Sequence, residues 1–281
     1  SITANREVDY LNRRLMAIAR FLCCLVKNSI FIEFTTKLPT ICVLFKKLFY
    51  KKNIKVFPHT GFYYYPYKIN SKNYKKRDLS HNKLSTMLIQ SKRYTPNLSK
   101  FKFKRYEITG YFHEEDKFIK HIDKISKYRE WPPIVLLSNK PRSDTWPEDE
   151  FYEIHSDVIN SLDEILPEGI DIGFKPHPRV RTKLNITKPR KRKLFLETQS
   201  ALLLARNAKF VLCLGHSSVV YNAIHMKTPY LVFYNRLEYI KNQRGVTDIF
   251  DPEFNINVYD KWLDFQPVLE NRLKKIFHKD V

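Results

Sequence analysis

Two short segments carry residue types that can do chemistry at a fixed spacing. The first is Lys175-Pro176-His177-Pro178-Arg179. Prolines on both sides of a single histidine fix the backbone and hold the imidazole in a stiff turn. From there it can donate to an anionic or carbonyl oxygen, with Lys175 and Arg179 adding positive charge. A bystander histidine in a surface turn is the competing reading, and the position at a strand end favours function. The second segment is Gly215-His216-Ser217-Ser218, just ahead of an apolar helix. A serine there caps the helix, and the N–H groups of the first turn plus two hydroxyls make a phosphate cradle. Capping alone is the simpler reading, and the two roles coexist. The chain holds only 6 glycines, so a glycine-rich nucleotide loop is hard to build and this is a glycine-poor way to hold a phosphate.

These segments need a scaffold, and the pattern after residue 130 supplies one. Short apolar runs at 134–137, 170–175, 210–214 and 230–233 read as strands. Stretches with helical spacing at 148–166, 195–207, 219–226 and 261–278 read as helices, with a basic loop at 179–193. That alternation predicts a parallel sheet covered on both faces. Ligands of such sheets bind at the carboxyl ends of the strands, and both motifs follow a strand directly. Trp131-Pro132-Pro133 punctuates the chain and places a domain boundary near residue 130. Before it, Leu11, Leu15, Ile18, Leu22 and Leu25 predict a helix over 5–27, and a second helix covers 41–51. A strand at 54–57 runs into Pro58-His59-Thr60-Gly61. Residues 62–105 have weak periodicity and read as long loops with a basic face. A strand at 106–109 and a helix at 114–128 complete this half.

Charge is spread unevenly over the 281 residues. The net charge is +21, and residues 51–105 hold 15 Lys and Arg against one acid, Asp78. Residues 131–281 hold 22 basic and 19 acidic residues. The basic patch suits an anionic membrane surface, a polyanionic acceptor or a nucleic acid. No nucleic-acid-binding motif accompanies it, so nucleic acid is the least favoured of the three. Cys23, Cys24, Cys42 and Cys213 have neither CxxC nor Cys/His ligand spacing, which predicts reduced, mostly buried thiols, no zinc site and a cytoplasmic protein. No signal-peptide pattern is visible. The longest apolar stretch, 15–34, is interrupted by Arg20, Lys27 and Glu33, so it reads as a partly buried amphipathic helix, with a helix lying on a membrane surface as the alternative, rather than a membrane span. The chain begins on Ser1 rather than Met, which leaves room for residues before it.

Ile172-Gly173-Phe174-Lys175-Pro176-His177-Pro178 resembles the His-Pro motif of GT-B glycosyltransferases of the bacterial capsule and lipopolysaccharide group. That group includes polysialyltransferases, Kdo transferases and CDP-glycerol glycerophosphotransferases. Gly215-His216-Ser217-Ser218-Val219-Val220-Tyr221-Asn222-Ala223, followed by Thr228-Pro229, resembles their Ser-Ser motif and the small-residue helix after it. The likeness covers residues 130–235. More faintly, Pro58-His59-Thr60-Gly61 resembles the His-Gly turn of CDP-glycerol-type enzymes, with a Thr inserted. Ile108-Thr109-Gly110-Tyr111 resembles their Thr-Gly segment.

The resemblance implies an α/β, GT-B-like fold with two Rossmann-like domains, the C-terminal one on a parallel sheet and the N-terminal one short or incomplete. It implies an acceptor-side domain at 1–130 and a nucleotide-sugar donor domain at 131–281. It also implies transfer of a sugar or polyol phosphate from a CMP-, CDP- or UDP-linked donor to a saccharide or lipid-linked acceptor. His177, Ser217 and Ser218 would bind the donor phosphate, with Lys175, Arg179 and Gly215 beside them. No Asp-x-Asp metal motif is present, so a metal-independent enzyme without a cofactor is expected, peripheral to the inner face of the cell membrane. His59 is the candidate base for the acceptor hydroxyl. Glu238 is a candidate donor contact, against the plainer reading of a helix-surface acid. Tyr63, Tyr64, Tyr65 and Tyr67 would either stack on sugar rings or pack into a core. A polyanion-binding protein, a nucleotide-sugar epimerase and a degenerate, non-catalytic transferase-like protein remain competing readings.

Overall fold

A computed structural model describes residues 29–34, 53–58, 83, 85–89, 102–109, 116–127, 129–139, 141, 146–177, 186–217, 219–244, 248–250 and 252–278. The chain divides into two compact units near residue 110. The predicted helices at 5–27 and 41–51 lie outside the described residues, as do His59, Tyr63, Tyr64, Tyr65, Tyr67, Arg179 and Ser218. Among the described residues, no helix is long and apolar enough to cross a membrane.

The first unit holds four strands, β1 (Ser29–Phe34), β2 (Asn53–Pro58), β3 (Ser85–Ile89) and β4 (Arg105–Ile108), paired in that order. All three pairings are parallel. Alternation puts Ile54, Val56, Met87 and Ile89 in the core. On the other face, Glu107 of β4 takes Lys55 of β2 at 3.0 Å and Arg105 at 2.6 Å, and Arg105 Nε donates to Thr86 Oγ1 of β3. Two expectations are corrected here. Residues 29–34 form a strand instead of the end of a long helix, and 85–89 form a strand within a stretch read as loops. In both cases pairing with a distant strand prevails over weak local pattern.

The second unit is built on β5 (Ile134–Ser138), β6 (Ile172–Lys175), β7 (Leu194–Leu196), β8 (Phe210–Leu214), β9 (Tyr230–Phe233) and β10 (Val258–Tyr259). Their order is β10-β9-β8-β5-β6-β7, and every pairing is parallel. The intervening helices are α1 (Asp116–Ser126), which precedes β5, then α2 (Glu148–Ile165), α3 (Ala201–Asn207), α4 (Val220–His225), α5 (Leu237–Arg244) and α6 (Trp262–Phe277). All five residues of β5 and all five of β8 are buried, as expected for central strands covered on both faces.

In α2 the acids Glu148, Asp149 and Glu150 open the helix, where they favour its positive end. Phe151, Ile154, His155, Val158, Ile159 and Leu162 then form its buried stripe. Its C-terminal end is held by Arg192. The guanidinium donates to the carbonyls of Asp163, Leu166, Pro167 and Ile170, and Nε meets the Asp163 carboxylate at 2.9 Å. The backbone N–H groups of Arg190 and Lys191 also reach that carboxylate. Since α2 ends where β6 begins, this cluster lies at the amino ends of the strands. The part of the basic loop at 190–193 is therefore anchored away from the strand ends that carry the motifs.

Two more readings shift. The predicted helix at 195–207 begins only at Ala201, where Ser200 Oγ accepts from Leu203 N. Residues 194–196 ahead of it pair with β6 as a strand. The boundary expected near residue 130 falls some way from the division of the chain, because α1 belongs with the second unit. There Asp123 pairs with Arg206 at 2.7 Å, and Asn207 donates to Ser126 Oγ at 2.8 Å.

Candidate functional site

In the second sheet the connection from β5 leads to β6 on one side, and the chain later returns to place β8 on the other. The point of reversal is thus the crevice beyond the carboxyl ends of β5 and β8, the position where open parallel sheets bind ligands. The structure brings Lys175 and His177 to the end of β6, and Gly215, His216 and Ser217 to the end of β8, with β5 between them.

The turn after β8 is fixed from both neighbouring strands. Gly215 N donates to Phe233 O of β9 at 2.8 Å, and Asn139 N, just past β5, donates to Leu214 O at 3.1 Å. Asn139 Nδ2 donates to His216 O at 2.7 Å. Gly215 has φ +83°, and a Cβ there would stand 2.5 Å from the Trp146 ring. Only glycine meets both conditions. His216 Nε2 lies 3.2 Å from Ile249 O, and its ring packs on Phe250. Ser217 is half-buried, and its Oγ lies 3.5 Å from Val219 N. The expected serine cap is therefore weak at Ser217: helix α4 starts at Val220, with Val219 as the residue before it and no side-chain cap. Ile249 and Phe250, which meet His216, also line a groove of about 290 Å³ whose other walls are the apolar Leu237, Ile256 and Val258 and the polar Lys241, Asp248, Asn255 and Asn257.

At the end of β6, Lys175 is half-buried. Burial lowers its pKa from the ordinary lysine value, and the nearby charge of Glu197 opposes that shift. Glu197 is itself buried, at the end of β7, and pairs with Arg129 at 2.7 Å. A Cβ on Gly173 would meet Pro132 at 2.5 Å and Glu197 Cγ at 3.3 Å. The bare face of β6 thus makes room for Glu197 on the side that Lys175, two residues on, shares. His177 follows, partly buried. Glu238 stands on α5 with its side chain 67% exposed, paired with Lys241 at 3.2 Å.

Beneath the crevice lies an aromatic layer of Trp146, Phe151, His155, Phe174 and Tyr234. His155 is fully buried. Its Nδ1 faces Phe151 O, so Nδ1 carries the proton, and Nε2 lies 2.7 Å from Ser138 Oγ, whose single proton is also within reach of Asn139 O at 2.8 Å. Burial drives its pKa down to about 4, so the imidazole is neutral near pH 7. At the end of β9, Arg236 forms a two-point ion pair with Glu150 of α2.

Asn139, His155 and Glu197 are the residues that sequence reasoning missed. The one available signal was a polar side chain at the end of an apolar run, for Asn139 and Glu197. Among the described residues, no group of three or more His, Cys, Asp or Glu side chains gathers in a metal-holding cluster.

No protein-family model matches the chain, and no curated protein does. Solved structures do. The fold resembles that of the wall teichoic acid polymerase TagF. One TagF structure matches with a TM-score of 0.52 and 13% identity, over 82% of this chain and 61% of the polymerase. A further TagF variant reaches 0.56 with 14% identity over the same shares. A spinosyn rhamnosyltransferase aligns over 98% of this chain and 72% of its own, at 12% identity and a TM-score of 0.37. The chain spans about three fifths of the polymerase's length. The α/β fold with parallel sheets, matching GT-B glycosyltransferases, is thereby shown.

Proposed function

We propose that this chain is a glycosyltransferase of GT-B type. It would move a sugar or polyol phosphate from a nucleotide-activated donor to a cell-surface polysaccharide or glycolipid acceptor. One observation carries the reading: His177 and Ser217 stand at the carboxyl ends of two strands flanking β5, at the point of reversal of a sheet of this fold. A departing phosphate there would meet the His177 imidazole, the Lys175 ammonium, and the N–H and hydroxyl groups of the Ser217 turn, which together stabilise negative charge as it develops. The groove lined by Ile249 and Phe250 would take the nucleoside part. We assign Ser218 and Arg179 to the same phosphate and His59 to the acceptor hydroxyl, on the resemblance alone. The donor would be CMP-, CDP- or UDP-linked, and transfer would need no metal. The basic segment 51–105 would face a polyanionic acceptor or an anionic membrane.

The test is a thermal-shift screen of CMP, CDP, UDP, GDP and their sugars on the wild type and on His177→Ala. A ligand that binds only the native state raises its melting temperature. Selective stabilisation by one nucleotide, lost in His177→Ala while the unliganded melting temperature holds, is the expected result. Absence of any nucleotide response at millimolar concentration would sink the proposal.

A further inference from the structure

The hydrogen bond from Asn139 to the carbonyl of His216 bears on a peptide group at the centre of the crevice. A trans peptide is planar, with its C=O and N–H pointing in opposite directions. The His216 carbonyl is drawn to Asn139 Nδ2 at 2.7 Å, so the N–H of Ser217, in the same peptide, points away from Asn139. Among the described residues no carbonyl accepts that N–H. The rest of the turn cannot rotate to relieve this. Gly215 N is held by Phe233 O, Leu214 O is held by Asn139 N, and Trp146 packs under Gly215. Asn139 thus grips the turn twice, once through its backbone and once through its side chain.

We propose that Asn139 is a positioning residue. By holding the His216–Ser217 peptide in one orientation, it aims the Ser217 N–H at a phosphate oxygen of the ligand. This rests on the donor-phosphate reading of the crevice. Asn139 itself touches no ligand and acts through the peptide. Without the side-chain amide, the peptide loses the contact that fixes its plane. The backbone grip from Asn139 N to Leu214 O survives any substitution but proline, so the turn stays in place with one peptide free to rotate.

The test is calorimetric binding of CDP and UDP, beside NMR titration of the phosphate-free cytidine and uridine. Both are run on the wild type, His177→Ala, Asn139→Leu and Asn139→Ala. Leu keeps the size of Asn without the donor, and Ala covers the case in which Leu is too bulky to fold. Asn139 variants are expected to bind the diphosphate at least about tenfold more weakly, the scale of one buried hydrogen bond, and the nucleoside as well as wild type does. Equal weakening of both ligands would reduce Asn139 to a structural role and overturn the inference. Wild-type affinity for the diphosphate in both Asn139 variants, with binding lost in His177→Ala, would overturn it while leaving the donor-phosphate reading intact. A wild type that binds no nucleotide would remove that reading and the inference with it.

Discussion

At the amino ends of β6 and β7, Asp163 and Arg192 are nearly sealed from solvent, with side-chain exposures of 9% and 1%. Each is met on several sides by hydrogen-bonding partners. Burial pushes the Asp163 carboxyl up, yet the N–H groups of Arg190 and Lys191 and the Arg192 guanidinium outweigh it and hold the pKa below the ordinary value. At the carboxyl ends of the same two strands, Lys175 is partly stripped of water, and among the described residues no acceptor is hydrogen-bonded to its ammonium. Glu197 beside it is already committed to Arg129. One end of the sheet closes its charges upon themselves; at the other, among the described residues, neither the Lys175 ammonium nor the Ser217 N–H has a hydrogen-bond acceptor. A satisfied cluster stabilises a fold; an unsatisfied one is what a ligand can complete.

Substitutions should separate the two ends. Asp163→Ala leaves Arg192 buried without its counter-charge, and loss of about 3–5 kcal/mol is expected in urea melts, with nucleotide affinity unchanged in the protein that folds. A loss below about 1 kcal/mol would show the amino-end cluster to be ornamental to stability. Gly215→Ala forces a side chain into positive φ and against the Trp146 ring, at a cost of about 3 kcal/mol. Unlike the amino-end change, it should also abolish the nucleotide response in thermal shift. Retained binding in Gly215→Ala would break the comparison.

A third expectation concerns pH. Folded His155 has its pKa lowered to about 4 from an ordinary 6.5. Between those values the unfolded chain takes up a proton that the native state refuses. Stability is therefore fully present above pH 6.5 and falls as pH drops toward 4, by on the order of 2–3 kcal/mol. Carboxylates titrate in the same range, so the readout is the difference in slope between wild type and His155→Gln, which keeps a partner for Ser138. Identical slopes would show that His155 accepts a proton in the folded state.

Particular residues show what was legible in the sequence. The strands 210–214 and 230–233 were readable to the residue, because each is an apolar run bounded by turn formers. Both motif turns were readable as strand ends for the same reason. The stretch 195–207 misled, since Phe195 and the leucines after it mimic a helical stripe, and only the cap at Ser200 marks the true start. The strand at 85–89 was hidden in a lysine-rich surround, where pairing with its neighbours rather than local pattern decides its state. Asn139 showed only as a polar side chain ending an apolar run, and its role stayed hidden because its partner lies 77 residues further along. Glu197 showed in the same way, and its burial stayed hidden because Gly173 opens its space from another strand.

Parallel pairing also dictates an order of assembly. Strand β5 sits between β6 and β8, and the two motifs lie on either side of it. A chain emerging from the ribosome can pair β5 with β6 early, but the other flank of β5 stays open until β8 has been made. Through that interval, an apolar strand destined to be wholly buried offers an unpaired edge. The crevice cannot exist before that wait is over, so the site forms later than the β5–β6 pair that carries one of its two motifs.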